Sequence, residues 1–433
     1  MDLFVRLGGF HQLMSFLGSI GSLMEGSGLR SAMETVYAPL TVGHMFTGKA
    51  YSRAVRGHML AASAVLTIML EEFWDQLNSD QKAQLIEVFK SEDPLARAHE
   101  NISMKLTSWF EERNINLKAE SRTSTLWLNY TAYVELTQQF IKAERTNNWL
   151  LHVATTRQMI NLFAATGHDN YAKTCRLYLQ SVLALEKEHP DVFAQFMIGN
   201  HTVRRTEKVW SGIWTDLSIE QILMKSLKGR GGVIGKGMSE NVANVWTKTM
   251  HRCAEFSDAM EELTSVDRST DKHKEVMPGR VQRDYEDFEK ILAWFKVHNP
   301  FLCGKKLVSL DSGLIDERAV LTCDKAEEVG SKIQNTLDGQ AFADCSFKRK
   351  DKITNLQSLY SSVTIDKEQV SIDPLTLFLR LTLAVGRKPD TEIENYFFYE
   401  LTPYPTSLFD NGSMRVAKNK VSLLKATVFY ATR

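Results

Sequence analysis

The chain has 433 residues, of which 43% are hydrophobic and 24% are charged, a balance typical of a soluble globular protein with a large buried core. Its 52 basic and 52 acidic residues give a net charge of zero, so no global field draws the protein to nucleic acid or to an anionic membrane surface. Any binding of that kind has to come from a local patch.

The N-terminal segment, the apolar runs and the cysteine spacing indicate in which cellular compartment the protein is expected. The first 30 residues are apolar enough to imitate a signal sequence, but Arg6 and His11 interrupt them and no small-residue cleavage site follows. The longest uncharged apolar run, Met59 to Leu70, has 12 residues, whereas a membrane-spanning helix needs about 20. The 5 cysteines lie far apart without a Cys-x-x-Cys pair, which is typical of reduced thiols. We therefore expect an intracellular protein, nuclear or cytoplasmic, that contacts no membrane.

The predicted elements begin almost at the first residue. The run from Val5 to His11 predicts a buried strand followed by a tight turn, and an apolar helical stretch then continues to Gly28. A core strand in this position suggests that the chain begins inside a larger architecture.

Helical periodicity dominates from there to about residue 263. Apolar residues recur every three or four positions in four long stretches, which are Met59–Phe73, Thr125–Ile141, Trp149–Phe163 and Asn170–Leu185. Turn signals at Gly167 and Pro190 bracket the last of them. The pattern predicts an antiparallel helical array within a core domain of residues 1–263.

The last part of the chain has a different pattern. Residues 264–298 are polar and weakly periodic, which predicts a linker or an outer helix. In residues 299–433, short β-like runs such as Lys306–Leu310 and Ser362–Ile365 mix with helical segments, which predicts a small α+β domain. The expected fold class is thus mainly α with a small β component, in which the helical array packs on the N-terminal strand.

Two carboxylates and one histidine are candidates for catalysis. Asp216 and Glu220 are four residues apart at the start of a predicted helix, Leu217–Leu227, so both side chains can project from one face. Metal binding or acid–base catalysis needs that geometry. The alternative is that Asp216 is the N-cap of this helix and Glu220 lies on its solvated face. His11 follows a Gly-Gly turn, where a histidine either bonds to the backbone or takes part in the same site.

Three basic segments are candidates for contact with a nucleic-acid backbone. The first, residues 53–58, begins an apolar helix. The second, residues 203–205, is followed by two tryptophans, and the third, residues 229–237, is a glycine-rich loop. The loop is not a phosphate-binding Walker loop, because Arg230 and Gly237 stand where that motif needs glycine and serine or threonine. Solvated arginines and buried tryptophans explain the same patterns equally well. The candidate residues are Arg53, Arg56, His58, Arg204, Arg205, Arg230 and Lys236.

Several motifs taken together resemble those of a known family. They are Arg6-Leu7-Gly8-Gly9-Phe10-His11, Ala143-Glu144-Arg145 with Trp149 and His152, Val203-Arg204-Arg205 with Trp210, Thr215-Asp216, and Ile219-Glu220-Gln221. The set resembles a large uncharacterised family of mobile-element-associated proteins that is multiplied in the genomes of aquatic invertebrates and some fishes. The resemblance extends over nearly the whole chain.

The resemblance implies more than the motifs show by themselves. Longer members of that family carry an upstream Asp-Gln-Pro motif and a downstream domain similar to metal-dependent nucleases. By this resemblance, the motifs are pieces of an RNase H-like core, in which carboxylates hold two Mg²⁺ ions. Glu220 and Asp216 would supply helix carboxylates and His11 would lie at a strand end, while the upstream aspartate is missing.

We therefore expect a mobile-element-derived intracellular protein that associates with nucleic acid and is not catalytic by itself. Its expected partners are DNA or RNA, or the flanking domains of a longer relative, and no cofactor is expected. Two alternatives remain open. One is a protein-interaction scaffold, and the other is a remnant RNase H-like nuclease or transposase core that uses Mg²⁺.

Overall fold

A computed structural model describes most of the first 359 residues and short pieces beyond them. The described ranges are 4–90, 101–204, 208–228, 239–264, 276–341, 344–359, 362–365, 368–371, 409–410 and 413–414. Within them the fold is mainly α with a small β component, which confirms the predicted fold class.

The described helices follow one another with short connections through most of the chain. In chain order they are α1 (Gly9–Met24), α2 (Leu29–Glu34), α3 (Pro39–Phe46), α4 (Tyr51–Gln76), α5 (Ser79–Lys90), α6 (Asn101–Glu120), α7 (Arg122–Arg145), α8 (Trp149–Thr166), α9 (Asp169–Glu188), α10 (Pro190–Met197), α11 (Thr215–Ser218), α12 (Lys225–Lys228), α13 (Glu240–Thr264), α14 (Pro278–Val297) and α15 (Ala326–Thr336). A π-helix, Ile219–Met224, joins α11 to α12.

The described strands form three separate two-stranded antiparallel sheets. These pair β1 (Val203–Arg204) with β2 (Gly212–Ile213), β3 (Ser362–Ile365) with β4 (Glu368–Ser371), and β5 (Phe409–Asp410) with β6 (Ser413–Met414). The predicted strand at 362–365 coincides with β3. The predicted strand at 306–310 is reduced to one isolated bridge between Val308 and Ile315.

The four long helices expected from periodicity are all present, as α4, α7, α8 and α9. Local signals place their ends. Ser121 and Asn148 cap α7 and α8 by accepting hydrogen bonds from backbone N–H groups of the first turn. Gly167 ends α8 with a positive φ of 86°, and Pro190 occupies the first turn of α10.

The predicted N-terminal strand is wrong. Residues 4–8 have no regular secondary structure, and α1 begins directly at Gly9. Gly8 is extended, with φ −69° and ψ 115°, but it serves as the N-cap of α1. A strand needs a neighbour for its backbone groups, and here the helical spacing of the apolar residues after Gly9 determines the structure instead.

The main hydrophobic core surrounds α1. Leu13, Phe16, Leu17 and Ile20 are fully buried, and α1 packs against α3, α4, α7 and α8. The ring centroid of Phe16 lies 5.7 Å from that of Phe163 in an edge-to-face contact. The first long helix is therefore central to the packing.

The same core extends past the predicted linker. α14 packs against α4 and buries Ile291 and Phe295, and α15 packs against α8. Leu321 and Leu356 belong to the same buried cluster as α1. Residues on both sides of the predicted linker thus share one core, while the division of the chain into three domains stays a prediction.

Helix α4 is long and apolar enough to cross a membrane by length and composition, and half of its most apolar window is buried in the fold. A core helix passes the same test. The expectation that the protein contacts no membrane therefore stays a prediction.

A close approach between α1 and α3 generates a prediction. A Cβ atom at Gly21 would lie 2.1 Å from the carbonyl oxygen of Phe46, so the two backbones have to separate to admit it. We expect Gly21→Ala to lower the free energy of unfolding by about 1–3 kcal/mol, the usual cost of overpacking. Urea denaturation would measure the change.

The matched control is Gly279→Ala in the first turn of α14, where nothing lies within 4 Å of a new Cβ. It should leave stability unchanged or raise it by about 0.5–1 kcal/mol, because alanine favours the helix. Equal effects of the two substitutions would contradict the packing argument.

Candidate functional site

Segments far apart in the sequence meet at the N-terminal end of α1. The ring of Phe10 lies 5.1 Å from Tyr51, at the start of α4, and 5.9 Å from Trp214, which precedes α11. Tyr51 and Trp214 also contact each other edge to face at 5.7 Å. The N-terminal ends of α1, α4 and α11 are therefore neighbours, joined by three aromatic rings.

Asp216 caps α1 rather than its own helix. Its Oδ1 accepts a hydrogen bond from the Phe10 backbone N–H at 3.0 Å, and its Oδ2 accepts one from the His11 backbone N–H at 2.9 Å. A Cβ at Gly8 would lie 2.6 Å from Oδ2, which explains the need for glycine there. The interpretation of Asp216 as the N-cap of helix 217–227 is wrong, because Trp214 is the N-cap of α11.

His11 and Asp216 also form a side-chain pair. The Nδ1 atom of His11 lies 2.9 Å from Oδ2 of Asp216, and the His11 side chain is about half exposed at 47%. The carboxylate orients the imidazole through Nδ1, so Nε2 is the ring nitrogen left for another partner. A histidine held in this way can accept or donate a proton.

The residues present do not fit a two-metal site. Asp216 already accepts three hydrogen bonds, out of about four that a carboxylate can accept, so little capacity is left for Mg²⁺. Glu220 is exposed and lies in the π-helix that follows α11. Among the described residues, no group of three or more histidine, cysteine, aspartate or glutamate side chains can hold a metal ion.

A buried ionic network lies behind the α1 terminus, and the sequence analysis did not propose it. Glu144, at the end of α7, is completely buried and pairs with Arg6 at 3.1 Å. Nδ1 of His152 lies 2.6 Å from Oε1 of Glu144, and Nε2 of His152 lies 3.1 Å from the Tyr178 hydroxyl. The network connects the N-terminal segment with α7, α8 and α9.

The environment of the network sets its charge state. Burial by itself raises the pKa of Glu144, but its close contact with the His152 ring and its attraction to Arg6 together outweigh burial, so the pKa lies below its usual value. Burial lowers the pKa of His152, and it lowers the pKa of His201 to about 4. At neutral pH the network therefore consists of a Glu144 anion, an Arg6 cation and neutral histidines.

Of the predicted basic residues, two are exposed. Arg53 lies in the first turn of α4 and Arg204 lies on β1. Arg56 is half-buried and pairs with Asp284 of α14 at 3.3 Å. Arg205, Arg230 and Lys236 lie outside the described residues.

His58 is not at the surface, which corrects its selection as a nucleic-acid contact. Its side chain is buried, with Nδ1 3.1 Å from the Tyr130 hydroxyl, and burial lowers its pKa to about 4. The charged segment before the apolar helix suggested exposure, but His58 falls on the inner side of α4. A phosphate group cannot contact it in this conformation.

The β1–β2 hairpin contains Arg204, from one of the predicted basic segments, and Trp210, which follows that segment, and Arg145 lies beside it. Trp210 is 36% exposed and has a positive φ of 74°, which is unfavourable for a bulky residue. Arg145, at the end of α7, lies with its guanidinium 5.9 Å from the Trp214 ring, next to the hairpin. Exposed Arg204, on β1, pairs with Gly212, two residues from Trp210.

The fold and this site define a mainly helical protein in which a buried ion pair underlies a surface of cationic and aromatic residues. A family described as a domain of unknown function (DUF8702) matches residues 1–400, so the chain belongs to this family. No curated protein and no solved structure matches the chain.

The buried network generates a stability prediction. Glu144→Gln removes the anion and leaves Arg6 without its counter-charge, which should lower the free energy of unfolding by about 3–5 kcal/mol. Urea denaturation would measure the loss. The control is Glu135→Gln, which alters an exposed carboxylate of the same helix and should change stability by less than about 0.5 kcal/mol. Similar losses in both variants would show that the ion pair is not the cause.

His58 generates a prediction about pH. It is neutral in the folded protein, with a pKa of about 4, and regains its ordinary pKa of 6.5 on unfolding. The unfolded state therefore takes up a proton as the pH falls from 6.5 to about 4, so this contribution to stability is complete above pH 6.5 and is lost on acidification.

Replacing His58 by glutamine should remove up to about 1.4 kcal/mol per pH unit from the slope of stability against pH in that range. Urea unfolding curves collected at several pH values would measure both slopes. If the free energy of unfolding changed with pH at the same slope in the wild type and in His58→Gln, the assignment of a neutral buried histidine would be contradicted.

Proposed function

We propose that the protein binds the phosphate backbone of a nucleic acid and is not catalytic by itself. The binding surface is the hairpin face, defined by Arg145, Arg204 and Trp210. The observation that carries the proposal is the presence of an exposed arginine and an exposed tryptophan on one two-stranded hairpin, β1–β2.

The charge of the hairpin face supports this function. In the described part of the chain, neither Arg204 nor Arg145 forms a salt bridge with a carboxylate. An arginine without an acidic partner keeps its full attraction for phosphate oxygens and can bind two of them at once. A local cluster of this kind provides the patch that a chain of zero net charge needs.

The aromatic residue supports a single-stranded partner. The positive φ of Trp210 is a conformation that bulky residues rarely adopt, and such strain is concentrated at functional sites. An exposed indole next to an arginine can stack on an unpaired base while the arginine contacts the backbone. The resemblance to mobile-element-associated proteins supports the same partner, and we extend the proposal to an origin in such an element and an intracellular location.

The His11–Asp216 pair favours a second candidate function, cleavage of a phosphodiester bond. Nε2 of His11 is positioned for proton transfer, because Asp216 holds the opposite nitrogen. The pair lacks a fitting metal site, as described above, so we derive no metal-dependent step from it. The remaining alternative, a protein-interaction scaffold, does not need His11, Asp216 or the residues of the hairpin face.

Binding to labelled single- and double-stranded DNA and RNA over a salt series tests the proposal. The logarithm of the association constant should fall linearly with the logarithm of salt concentration, and Arg204→Ala should reduce that slope by about 0.7–0.9. Trp210→Ala should weaken single-strand binding by about 1–3 kcal/mol. Lys90→Ala, at an exposed lysine of α5, is the control and should bind like the wild type.

The same experiment separates the alternatives. Absence of binding at low salt would leave the scaffold as the remaining function. Cleavage that requires Mg²⁺ or Mn²⁺ and is lost in Glu220→Ala would overturn the non-catalytic assignment. Cleavage in the presence of a chelator that is lost in His11→Ala would instead support the second candidate.

A further inference from the structure

A cavity opens at the turn between α7 and α8, beside the loop that leads from α10 into β1. Its volume is about 300 Å³, at the lower end of the range for small-molecule sites. Five consecutive residues of the turn and the last residue of α10 line it, and they are Thr146, Asn147, Asn148, Trp149, Leu150 and Met197. We call this space the turn cavity.

The turn cavity adjoins Arg204 of the hairpin face. A Cβ atom on Gly199 would lie 2.7 Å from the Cβ of Asn147 and 3.5 Å from Nη2 of Arg204, so the lining of the cavity and the guanidinium flank the same point. Arg204 is exposed. If its guanidinium binds a phosphate, a base of the same strand therefore lies within reach of the cavity.

Asn147 is 9% exposed and contributes an unpaired acceptor. Its Nδ2 donates to the carbonyl oxygen of Gly199 at 3.4 Å and to the hydroxyl oxygen of Thr202. Because a carbonyl oxygen can only accept, this contact identifies the nitrogen of the amide. The Oδ1 atom on the other arm receives no hydrogen bond from the described part of the chain.

Asn148 contributes the complementary donor. Its Oδ1 accepts a hydrogen bond from the backbone N–H of Leu151 at 3.0 Å, as the N-cap of α8. A backbone N–H can only donate, so the oxygen of this amide is identified as well. Its Nδ2 is left with two N–H groups for which the described residues provide no acceptor.

An acceptor beside a donor selects the chemistry of the ligand. A free phosphate or sulfate ion offers acceptor oxygens, so Oδ1 of Asn147 would stay unpaired against it. The edge of a nucleobase carries donors and acceptors side by side, and asparagine amides are common partners of such edges. The two amides therefore fit a base better than they fit a bare anion.

Apolar side chains complete the cavity. Leu150 is 62% exposed and Met197 is 44% exposed, although both line this concave space. A base combines a polar edge with two apolar faces, so its faces can pack on these side chains while its edge bonds to the amides. Only an unpaired base has its edge free for such contacts.

We propose that the turn cavity binds one unpaired nucleobase of the strand whose phosphate Arg204 contacts. The inference rests on the proposed nucleic-acid binding and adds to it a site that reads the base rather than the backbone. Asn147 and Asn148 bond to the edge of the base, and Leu150 and Met197 contact its faces.

Fluorescence anisotropy of the full chain with two labelled strands tests the proposal. One is a single DNA strand of about 12 nucleotides, and the other is an abasic strand of the same length, which keeps the phosphates but has no bases. Asn148→Ser keeps an oxygen for capping α8 and removes the Nδ2 donors. It should weaken binding of the strand with bases about 2- to 10-fold, the usual effect of one hydrogen bond, and leave the abasic strand unchanged.

Leu150→Ala provides a second variant at an exposed position of α8. It should weaken binding of the strand with bases at least about 3-fold, because it removes apolar contact with the base, and it should not affect the abasic strand. Arg204→Ala should weaken binding of both strands, since it acts on the phosphates.

The matched control is Asn299→Ser, which makes the same substitution at another capping asparagine, whose Oδ1 accepts from the Phe301 backbone N–H at 2.9 Å. It should bind both strands like the wild type. If Asn148→Ser and Leu150→Ala weakened both strands equally, or weakened neither, the base site would be refuted while phosphate binding stood. Absence of binding to either strand would refute the proposed function and the base site together.

Discussion

The completely buried carboxylate of Glu144 is the constraint on which the arrangement of the helices around it depends. A buried anion is tolerable only when opposite charge and hydrogen-bond donors surround it, and Arg6 and His152 provide them from different segments. The segment before α1, the end of α7 and the start of α8 therefore have to occupy fixed relative positions. The apolar core could be filled in several ways, but this ion pair can form in only one.

This fixed arrangement positions the surface above it. Gly9 lies between Glu144 and Trp214, because a Cβ at Gly9 would be 2.6 Å from the Trp214 ring and 3.5 Å from the Glu144 carboxyl carbon. A Cβ at Gly212 would likewise lie 2.1 Å from the backbone carbonyl oxygen of Glu144. The β1–β2 hairpin and the start of α1 are thus packed against the same buried residue, one against its backbone and the other against its side chain.

Sequence periodicity predicts the long helices, because their apolar stripes and end signals are set by residues close together in the sequence. α4, α7, α8 and α9 have apolar stripes of helical period, and capping and turn residues mark their ends, so their positions could be read from neighbouring residues. The run from Val5 to Gly8 does not form the predicted strand, because it is held by the ion pair of Arg6 with Glu144 rather than by a neighbouring strand. A strand and an extended segment have the same local sequence signature, and only tertiary contacts distinguish them.

The candidate site was less predictable because it is assembled from residues more than a hundred positions apart. Asp216 was recognised as a capping residue, but the capped helix is α1, some 205 positions away. Glu144 and His152 belong to the motifs of the family resemblance, but their burial beside Arg6 has no local signal beyond a charged residue within an apolar stretch. His58 is the opposite case. Its charged neighbours in the sequence suggest an exposed side chain, but the side chain is buried.

The capping of α1 by Asp216 has a consequence for synthesis of the protein. During synthesis α1 leaves the ribosome well before Asp216, so the free N–H groups of Phe10 and His11 lack this acceptor until residue 216 has been translated. Arg6 likewise lacks its counter-charge until Glu144 appears. Helix α1, which is buried at the centre of the core, therefore stays incomplete while some 205 further residues are translated, a period in which nascent-chain chaperones have an exposed apolar segment to bind.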